Sequence, residues 1–95
     1  MDQRPGRLLW KGAESAHLPP PLPETSAEME RLAASIHRAV QQETHGGIWN
    51  LRVAVTADEI VLFGYCTTYY LKQLAQHAAM SLAGRIVVIN LIEVR

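Results

Sequence analysis

The sequence of 95 residues contains one cysteine, Cys66, and no long hydrophobic run. One cysteine cannot form a disulfide within the chain, so oxidation contributes nothing to this fold. A membrane-spanning helix needs about 20 consecutive apolar residues, which the sequence does not provide. The N-terminal apolar segment Leu8-Leu9-Trp10 is also too short for the core of a signal peptide. We therefore expect a cytoplasmic protein rather than a periplasmic one.

The sequence also lacks an excess of charge of either sign. Nine basic residues balance nine acidic ones, and the balance holds from Thr25 onward. A nucleic-acid-binding domain usually shows a strong basic excess on one surface. The chain also has no G-x-x-G loop of the kind that RNA-binding KH modules use. Nucleic acid is therefore not expected as a partner.

Proline is confined to the first part of the chain. All five prolines precede Glu24, and four of them lie in Pro19-Pro20-Pro21-Leu22-Pro23. Such a segment favours a stiff polyproline II conformation. Pro20 and Pro23 form a P-x-x-P pattern, which can dock in an aromatic groove but is more often part of a spacer. We predict that residues 1–24 form a disordered tail and that residues 25–95 form a single domain.

The folded part is predicted to begin with a helix. Thr25-Ser26-Ala27-Glu28 has the pattern of a capping box, and Gly46-Gly47 is a typical helix stop. Apolar residues between these signals recur at helical spacing, which predicts one buried stripe. The predicted stripe consists of Met29, Leu32, Ala33, Ile36 and Val40.

Two strands, a second helix and a last strand are predicted to follow. Apolar and polar residues alternate from 49 to 55, and a tight turn at Asp58-Glu59 leads into a second strand from 60 to 66. A helix then begins at Thr67 or Thr68 and ends at Gly84, and a last strand spans 86 to 94. The predicted buried stripe of this second helix consists of Leu71, Leu74, Ala75, Ala78 and Leu82.

Several of these residues form a recognisable pattern around two glycines and an asparagine. The second strand has apolar residues at alternate positions before Gly64, and the last strand follows Gly84 and contains Asn90. The residues that carry the pattern are Ile60, Leu62, Gly64, Gly84, Val88, Asn90, Ile92 and Val94. The pattern resembles the BON domain, a bacterial family named for osmotically inducible and nodulation proteins, over roughly residues 25–95. The resemblance implies an α+β fold of order α-β-β-α-β, with two helices on one face of a three-stranded mixed sheet. It also implies a binding module or a phospholipid-attachment module.

Alternation assigns the strand residues to two faces of the sheet. The face toward the helices is predicted to contain Trp49, Leu51, Val53, Ile60, Leu62, Val88 and Ile92. The opposite face is predicted to contain Val61, Phe63, Tyr65, Val87, Ile89 and Leu91. Two helices cover only one side of such a sheet, so this second face would be an apolar patch that needs a cover. A second copy, another protein, a lipid surface or the tail through Leu8, Leu9 and Trp10 could cover it, unless strand twist scatters these side chains.

The remaining candidate residues are more typical of structural roles. Cys66 alternates with buried positions, which favours a buried small side chain over a nucleophile. Gly64 within a strand indicates close approach of another backbone, and Gly84 closes a helix. Asn90 lies among apolar residues, where an amide usually bonds to backbone. The histidines lie at no ligand spacing, so no metal or other cofactor is expected.

These sequence features bear on three classes of function. A binding and assembly module, acting as a homo-oligomer or on a protein partner, needs only the apolar face. Phospholipid attachment, which the resemblance implies, would add the cluster Tyr65, Tyr69 and Tyr70 and the segment Arg7-Leu8-Leu9-Trp10-Lys11. An enzyme is disfavoured, because no nucleophile-base pair, metal-ligand set or phosphate-binding loop is recognisable.

Overall fold

A computed structural model describes residues 25–95, which form an α+β domain of order α-β-β-α-β. The predicted fold class is correct, although the predicted last strand is split into two short pieces. The elements are α1 (Ser26–Glu43), β1 (Trp49–Val55), β2 (Glu59–Cys66), α2 (Tyr69–Ala83), β3 (Val87–Asn90) and β4 (Glu93–Val94). No helix within the described range is long and apolar enough to cross a membrane.

Helix α1 begins and ends at the predicted signals. The Thr25 hydroxyl accepts a hydrogen bond from the Glu28 amide at 3.1 Å, and the Glu28 carboxylate accepts one from the Thr25 amide at 3.3 Å. This pair satisfies two of the amides that a helix start leaves without partners. At the other end Gly46 adopts a φ of 73°, and its amide donates to the Gln41 carbonyl at 2.9 Å. The His45 amide also donates to the Gln42 carbonyl at 3.3 Å, so the left-handed residue directly after the Thr44 cap is His45, at a φ of 52°, rather than a glycine.

Helix α2 is capped by Thr68, whose hydroxyl accepts from the Leu71 amide at 3.2 Å, and is followed by Gly84 at a φ of 62°. Its buried face is rotated relative to the predicted stripe. The prediction is wrong for Leu82, which is 42% exposed. The buried residues of α2 are Ala75, Ala78, Ala79 and Ala83. Small side chains allow α1 and α2 to pack closely, so the larger leucine lies at the rim.

Strand β2 occupies the centre of the sheet. It pairs with β1 in antiparallel orientation and with β3 and β4 in parallel orientation. The last part of the chain therefore lies beside the second strand, which settles a strand order that the sequence left open. Two parallel strands joined through a helix are what a β-α-β crossover requires.

The predicted strand from 86 to 94 is interrupted at residues 91 and 92. Leu91 still donates its amide to the Leu62 carbonyl at 2.9 Å. The amide of Ile92, in contrast, bonds to the Asn90 side chain at 3.1 Å, so it leaves the ladder. Pairing resumes at Glu93 in the same register. At this point, a hydrogen bond to a side chain replaces one backbone hydrogen bond between the strands.

The hydrophobic core lies between the helices and one face of the sheet. Of the side chains predicted to face the helices, Leu51, Ile60, Leu62 and Ile92 are buried, whereas Val53 and Val88 are partly buried against the core. Ile36 and Val40 of α1 are fully buried opposite them. Trp49 is the exception and is described with the functional site.

Deleting residues 1–23 is expected to leave the thermal midpoint within a few degrees of the full-length value. The predicted tail, including the proline run and Leu8-Leu9-Trp10, lies outside the described residues. The core cluster is built from residues between Ile36 and Ile92, so the deletion removes none of its members. Differential scanning calorimetry of both chains checks this. A large drop would mean that the first 23 residues pack on the domain.

Candidate functional site

The sheet face opposite the helices, called here the open face, carries the six side chains predicted to form an interaction surface. On β2, Ile60 and Leu62 are fully buried toward the helices, while Val61, Phe63 and Tyr65 between and beyond them are only half-buried. Strand β3 contributes one half-buried and one exposed side chain, and the interruption after it contributes a second exposed one. These are Ile89, Val87 at 61% exposure and Leu91 at 53%.

The strand register makes this apolar surface continuous across the sheet. Val61 lies between Ala54 of β1 and Ile89 of β3. Neighbouring Cα positions in a sheet bring side chains on the same face into contact distance. The open-face side chains along the middle of the sheet are therefore neighbours across the strands.

Trp49 lies on the open face, so its assignment to the core is wrong. Its side chain is 58% exposed, and its ring centroid lies 5.5 Å from that of Tyr65, with a tilt of 59° between the rings. The cause is a β-bulge. Trp49 pairs with Tyr65 and Arg52 pairs with Phe63, so β1 advances three residues while β2 advances two. The extra residue reverses the alternation on its N-terminal side.

The bulge depends on Asn50 and on the glycine opposite it. Asn50 adopts a φ of 55°, a left-handed conformation that asparagine tolerates better than most residues. Gly64 faces it across the ladder with a φ of 145°. A Cβ on Gly64 would lie 2.8 Å from the Trp49 carbonyl oxygen and 2.9 Å from Cγ2 of Ile48. The expected close approach of another backbone at Gly64 is confirmed, and that backbone belongs to β1.

Two arginines extend over the aromatic rings of the open face. The guanidinium carbon of Arg95 lies 3.9 Å from the Tyr65 ring centroid, and that of Arg52 lies 5.4 Å from the Phe63 centroid. Both distances are within the range of cation–π attraction. Arg95 also forms an ion pair with Glu93 at 3.2 Å. Neither pair could be predicted from the sequence, because both depend on the register that the bulge sets.

An open groove of about 640 Å³ lies on this part of the surface. Its sides are aromatic and cationic, with Phe63, Tyr65, Arg52 and Arg95 among the lining residues, and Leu91 completes the apolar part. Trp49 borders it through its contact with Tyr65. The groove therefore combines flat apolar rings with hydrogen-bond donors.

Exposed aromatic residues continue past the end of β2. Tyr69 and Tyr70, in the first turn of α2, are 63% and 67% exposed. They follow Cys66 by only a few residues, and Cys66 ends the strand that carries Tyr65. Val94, which pairs with Cys66, is 43% exposed. This end of the sheet is the most aromatic part of the described surface.

The other singled-out residues have structural surroundings. Cys66 is 1% exposed and its thiol lies 3.2 Å from the Thr68 carbonyl oxygen, as expected for a buried small side chain. Asn90 bonds to backbone, as the sequence indicated. Its amide nitrogen donates to the Lys72 carbonyl of α2 at 2.9 Å, and its oxygen accepts from Ile92.

Titratable side chains are scattered over the domain. His37 is half-buried on α1, whereas His45 and His77 are exposed on different elements. Between residues 25 and 95, no group of three or more histidine, cysteine, aspartate or glutamate side chains could hold a metal ion. The open face is thus the surface that offers the most specific chemistry in the described part of the chain.

Comparison of the chain with protein-family models, with curated proteins and with solved structures gave no match in any of the three searches.

Proposed function

We propose that this protein is a non-catalytic binding and assembly module of the BON type, which docks a second copy or another protein on its open face. The observation that carries the proposal is the continuous strip of half-buried and exposed apolar side chains on the side of the sheet that neither of the two described helices covers. A soluble monomer usually keeps such contiguous apolar patches small.

The energetics of burial support docking at this face. Complete burial of one large apolar side chain contributes about 1.5 to 3 kcal/mol. Trp49, Val87 and Leu91 are each more than half exposed, so they retain most of that gain for a partner. The half-buried residues of β2 add smaller shares. The total is of the size needed to offset the ~4 to 15 kcal/mol that association costs in lost freedom of motion.

Membership of the BON family is part of the same proposal. The element order supports it, as do the positions of three residues that the resemblance singled out. Gly64 lies late in β2, Gly84 lies directly after α2, and Asn90 ends β3. Phospholipid attachment, which the resemblance implies, is taken up below as a second candidate.

Placing a lysine on the open face is expected to abolish self-association. Leu91→Lys is the preferred change, because Leu91 is 53% exposed and the lysine can extend into solvent in the free protein. Phe63→Lys should act in the same way, with an added penalty because the new charge lies beside Arg52. Sedimentation equilibrium should show a shift from dimer to monomer, and circular dichroism should show unchanged helix content.

Gln73→Lys is the matched control for this experiment. It adds the same charge at an exposed position of α2, away from the open face, and should leave self-association as in the wild type. If the two open-face variants associate as strongly as the wild type, or if the control dissociates equally, the open face is not the interface. A wild-type chain that is monomeric leaves a foreign protein or lipid as the ligand of this face.

Phospholipid attachment is the second candidate, favoured by the aromatic end of the sheet. Trp49, Tyr69 and Tyr70 are all more than half exposed there, and Arg95 supplies a cation. Amphipathic aromatic rings and arginines are suited to the interfacial region of a bilayer. The segment Arg7-Leu8-Leu9-Trp10-Lys11, also considered as an anchor, lies outside the described residues.

Vesicle co-sedimentation tests this candidate. Vesicles containing phosphatidylglycerol should retain the wild-type protein and lose the Trp49→Ala variant, whereas vesicles of phosphatidylcholine alone should bind less. Equal recovery of both proteins in the supernatant would exclude the aromatic end as a lipid-binding surface.

A further inference from the structure

We propose that the groove on the open face binds the proline-rich segment Pro19–Pro23 of a second copy of this chain. The inference rests on the open face being a docking surface and adds the identity of what docks. Assembly would then occur between the tail of one copy and the groove of the next, rather than between two open faces.

The groove has the chemistry that a proline-rich segment requires. Trp49 and Tyr65 present two aromatic rings 5.5 Å apart and tilted by 59°, which gives flat surfaces for pyrrolidine rings. The groove is also lined by the guanidinium groups of Arg52 and Arg95, which only donate hydrogen bonds, and by the Tyr65 hydroxyl and the Asn50 amide, which donate and accept them. Glu93, the acceptor-only side chain of the groove, is paired with Arg95 at 3.2 Å. The groove therefore combines aromatic rings with many hydrogen-bond donors.

The segment Pro19-Pro20-Pro21-Leu22-Pro23 is complementary to that surface. Proline has no backbone N–H, so the run offers carbonyl acceptors and almost no donors. Its restricted backbone also loses little conformational entropy on binding, which is why aromatic grooves commonly recognise polyproline II segments. A segment of ordinary composition would add N–H groups, for which the donor-rich groove offers fewer partners.

The segment cannot reach the groove of its own copy. Helix α1 has 18 residues, and at about 1.5 Å per residue it is about 27 Å long. The chain turns tightly after it, since the Gly47 amide donates to the Thr44 carbonyl at 2.9 Å, so Trp49 lies near the C-terminal end of the helix. Ser26 lies at the other end, in the layer that the sheet separates from the groove. Three residues from Pro23 to Ser26 span at most about 11 Å.

Docking therefore takes place between copies. A tail-to-groove contact joins two different surfaces, so it produces a reciprocal dimer if two such contacts close and a chain of copies if they do not. The expectation that the tail is dispensable for folding is compatible with this contact, because docking on another copy does not involve the described core cluster.

Mixing two variants of the full-length chain tests the proposal. The tail variant carries Pro20→Ala, Pro21→Ala and Pro23→Ala and keeps the groove. The groove variant carries Trp49→Ala, which removes an exposed side chain, and keeps the tail. Each variant alone should self-associate at least about tenfold more weakly than the wild type in sedimentation velocity. The equimolar mixture should associate again, because it unites an intact tail with an intact groove.

The outcomes separate this proposal from the function on which it rests. If the tail variant associates like the wild type while Leu91→Lys is monomeric, the tail is not what binds in the groove. The open face would then still be the docking surface. A mixture that stays monomeric also overturns the proposal, since a face-to-face contact would not be complemented. A wild-type chain that is monomeric up to about 1 mM, the weak end of measurable affinity, overturns it as well. Vesicle binding that Trp49→Ala abolishes and the tail variant does not would instead assign the groove to lipid.

A peptide of residues 17–25 gives a second measurement that does not depend on the stability of the groove variant. Added to the full-length tail variant, it should bind and change the amide resonances of Tyr65 and Leu91. A peptide of the same length with its prolines replaced by alanine should bind at least about tenfold more weakly. Equal binding of both peptides, or binding of neither, would contradict recognition of proline.

Discussion

Gly64→Val is expected to lower the free energy of unfolding by about 2 to 6 kcal/mol. The strained backbone conformation accounts for ~1 to 3 kcal/mol of this loss, and overpacking by the new side chain accounts for another ~1 to 3 kcal/mol. Gly64 has a φ of 145°, which side chains with a Cβ rarely adopt. The added Cβ would also lie 2.8 Å from the Trp49 carbonyl oxygen, a backbone atom that cannot move independently. A domain of this size has a total stability of about 4 to 10 kcal/mol, so the variant should lose about half of its stability and be only marginally stable.

An alanine pair separates the steric part of this effect from the conformational part. Gly64→Ala and Gly84→Ala make the same chemical change at two glycines of positive φ. A Cβ at Gly84 would meet no atom within 4 Å, so its cost is conformational alone. Urea denaturation should therefore show the larger loss for Gly64→Ala. If Gly84→Ala costs as much or more, close approach of β1 is not what requires glycine in β2.

Much of the fold could be predicted because its signals are local. Thr25 and Thr68 cap their helices through hydroxyl groups that act within three residues, and Gly84 ends α2 through its own backbone conformation. Strict alternation also identified the buried and half-buried residues of β2. Helix caps and strand alternation both depend on neighbours in the sequence, which a single sequence contains.

The position of Trp49 could not be predicted, because it depends on pairing between strands. Alternation assumes a regular strand, and the bulge at Asn50 breaks that regularity at one residue. The features that permit the bulge, a tolerant asparagine and a glycine opposite it, lie far apart in the sequence. Arg52 and Arg95 join the aromatic rings only after the register is fixed. The candidate groove therefore depends on tertiary structure, whereas the apolar side chains of the open face were predicted from the sequence.

The buried face of α2 shows a different limit. Hydrophobicity favoured Leu82 for the core, yet the buried residue is Ala83. Space between two closely packed helices selects small side chains, and that space is unknown until the helices are placed. The interrupted last strand has a different origin, because the Ile92 amide bonds locally to the Asn90 side chain instead of to the ladder, and alternation of apolar residues does not reveal that competition.

Asn90→Ala is expected to lower the free energy of unfolding by about 2 kcal/mol, because it removes two hydrogen bonds of ~1 kcal/mol each. One joins the side-chain amide to the Lys72 carbonyl at 2.9 Å and ties β3 to α2. The other accepts the Ile92 amide at 3.1 Å and holds the interruption between β3 and β4. Urea denaturation measures the loss, and hydrogen exchange should show that the Ile92 amide becomes less protected.

Asn90→Asp separates the two bonds. A carboxylate can still accept the Ile92 amide but cannot donate to the Lys72 carbonyl, so Ile92 should keep its protection while stability still falls. Gln76→Ala is the matched control, since it removes the longer 3.4 Å contact at the exposed side of the Asn90 amide, together with an exposed 3.8 Å contact to the Met80 sulfur, and should change stability little. If Ile92 exchanges as slowly in Asn90→Ala as in the wild type, the asparagine does not hold the interruption. The break in the last strand would then be set by the packing of Ile92, which is 1% exposed in the core.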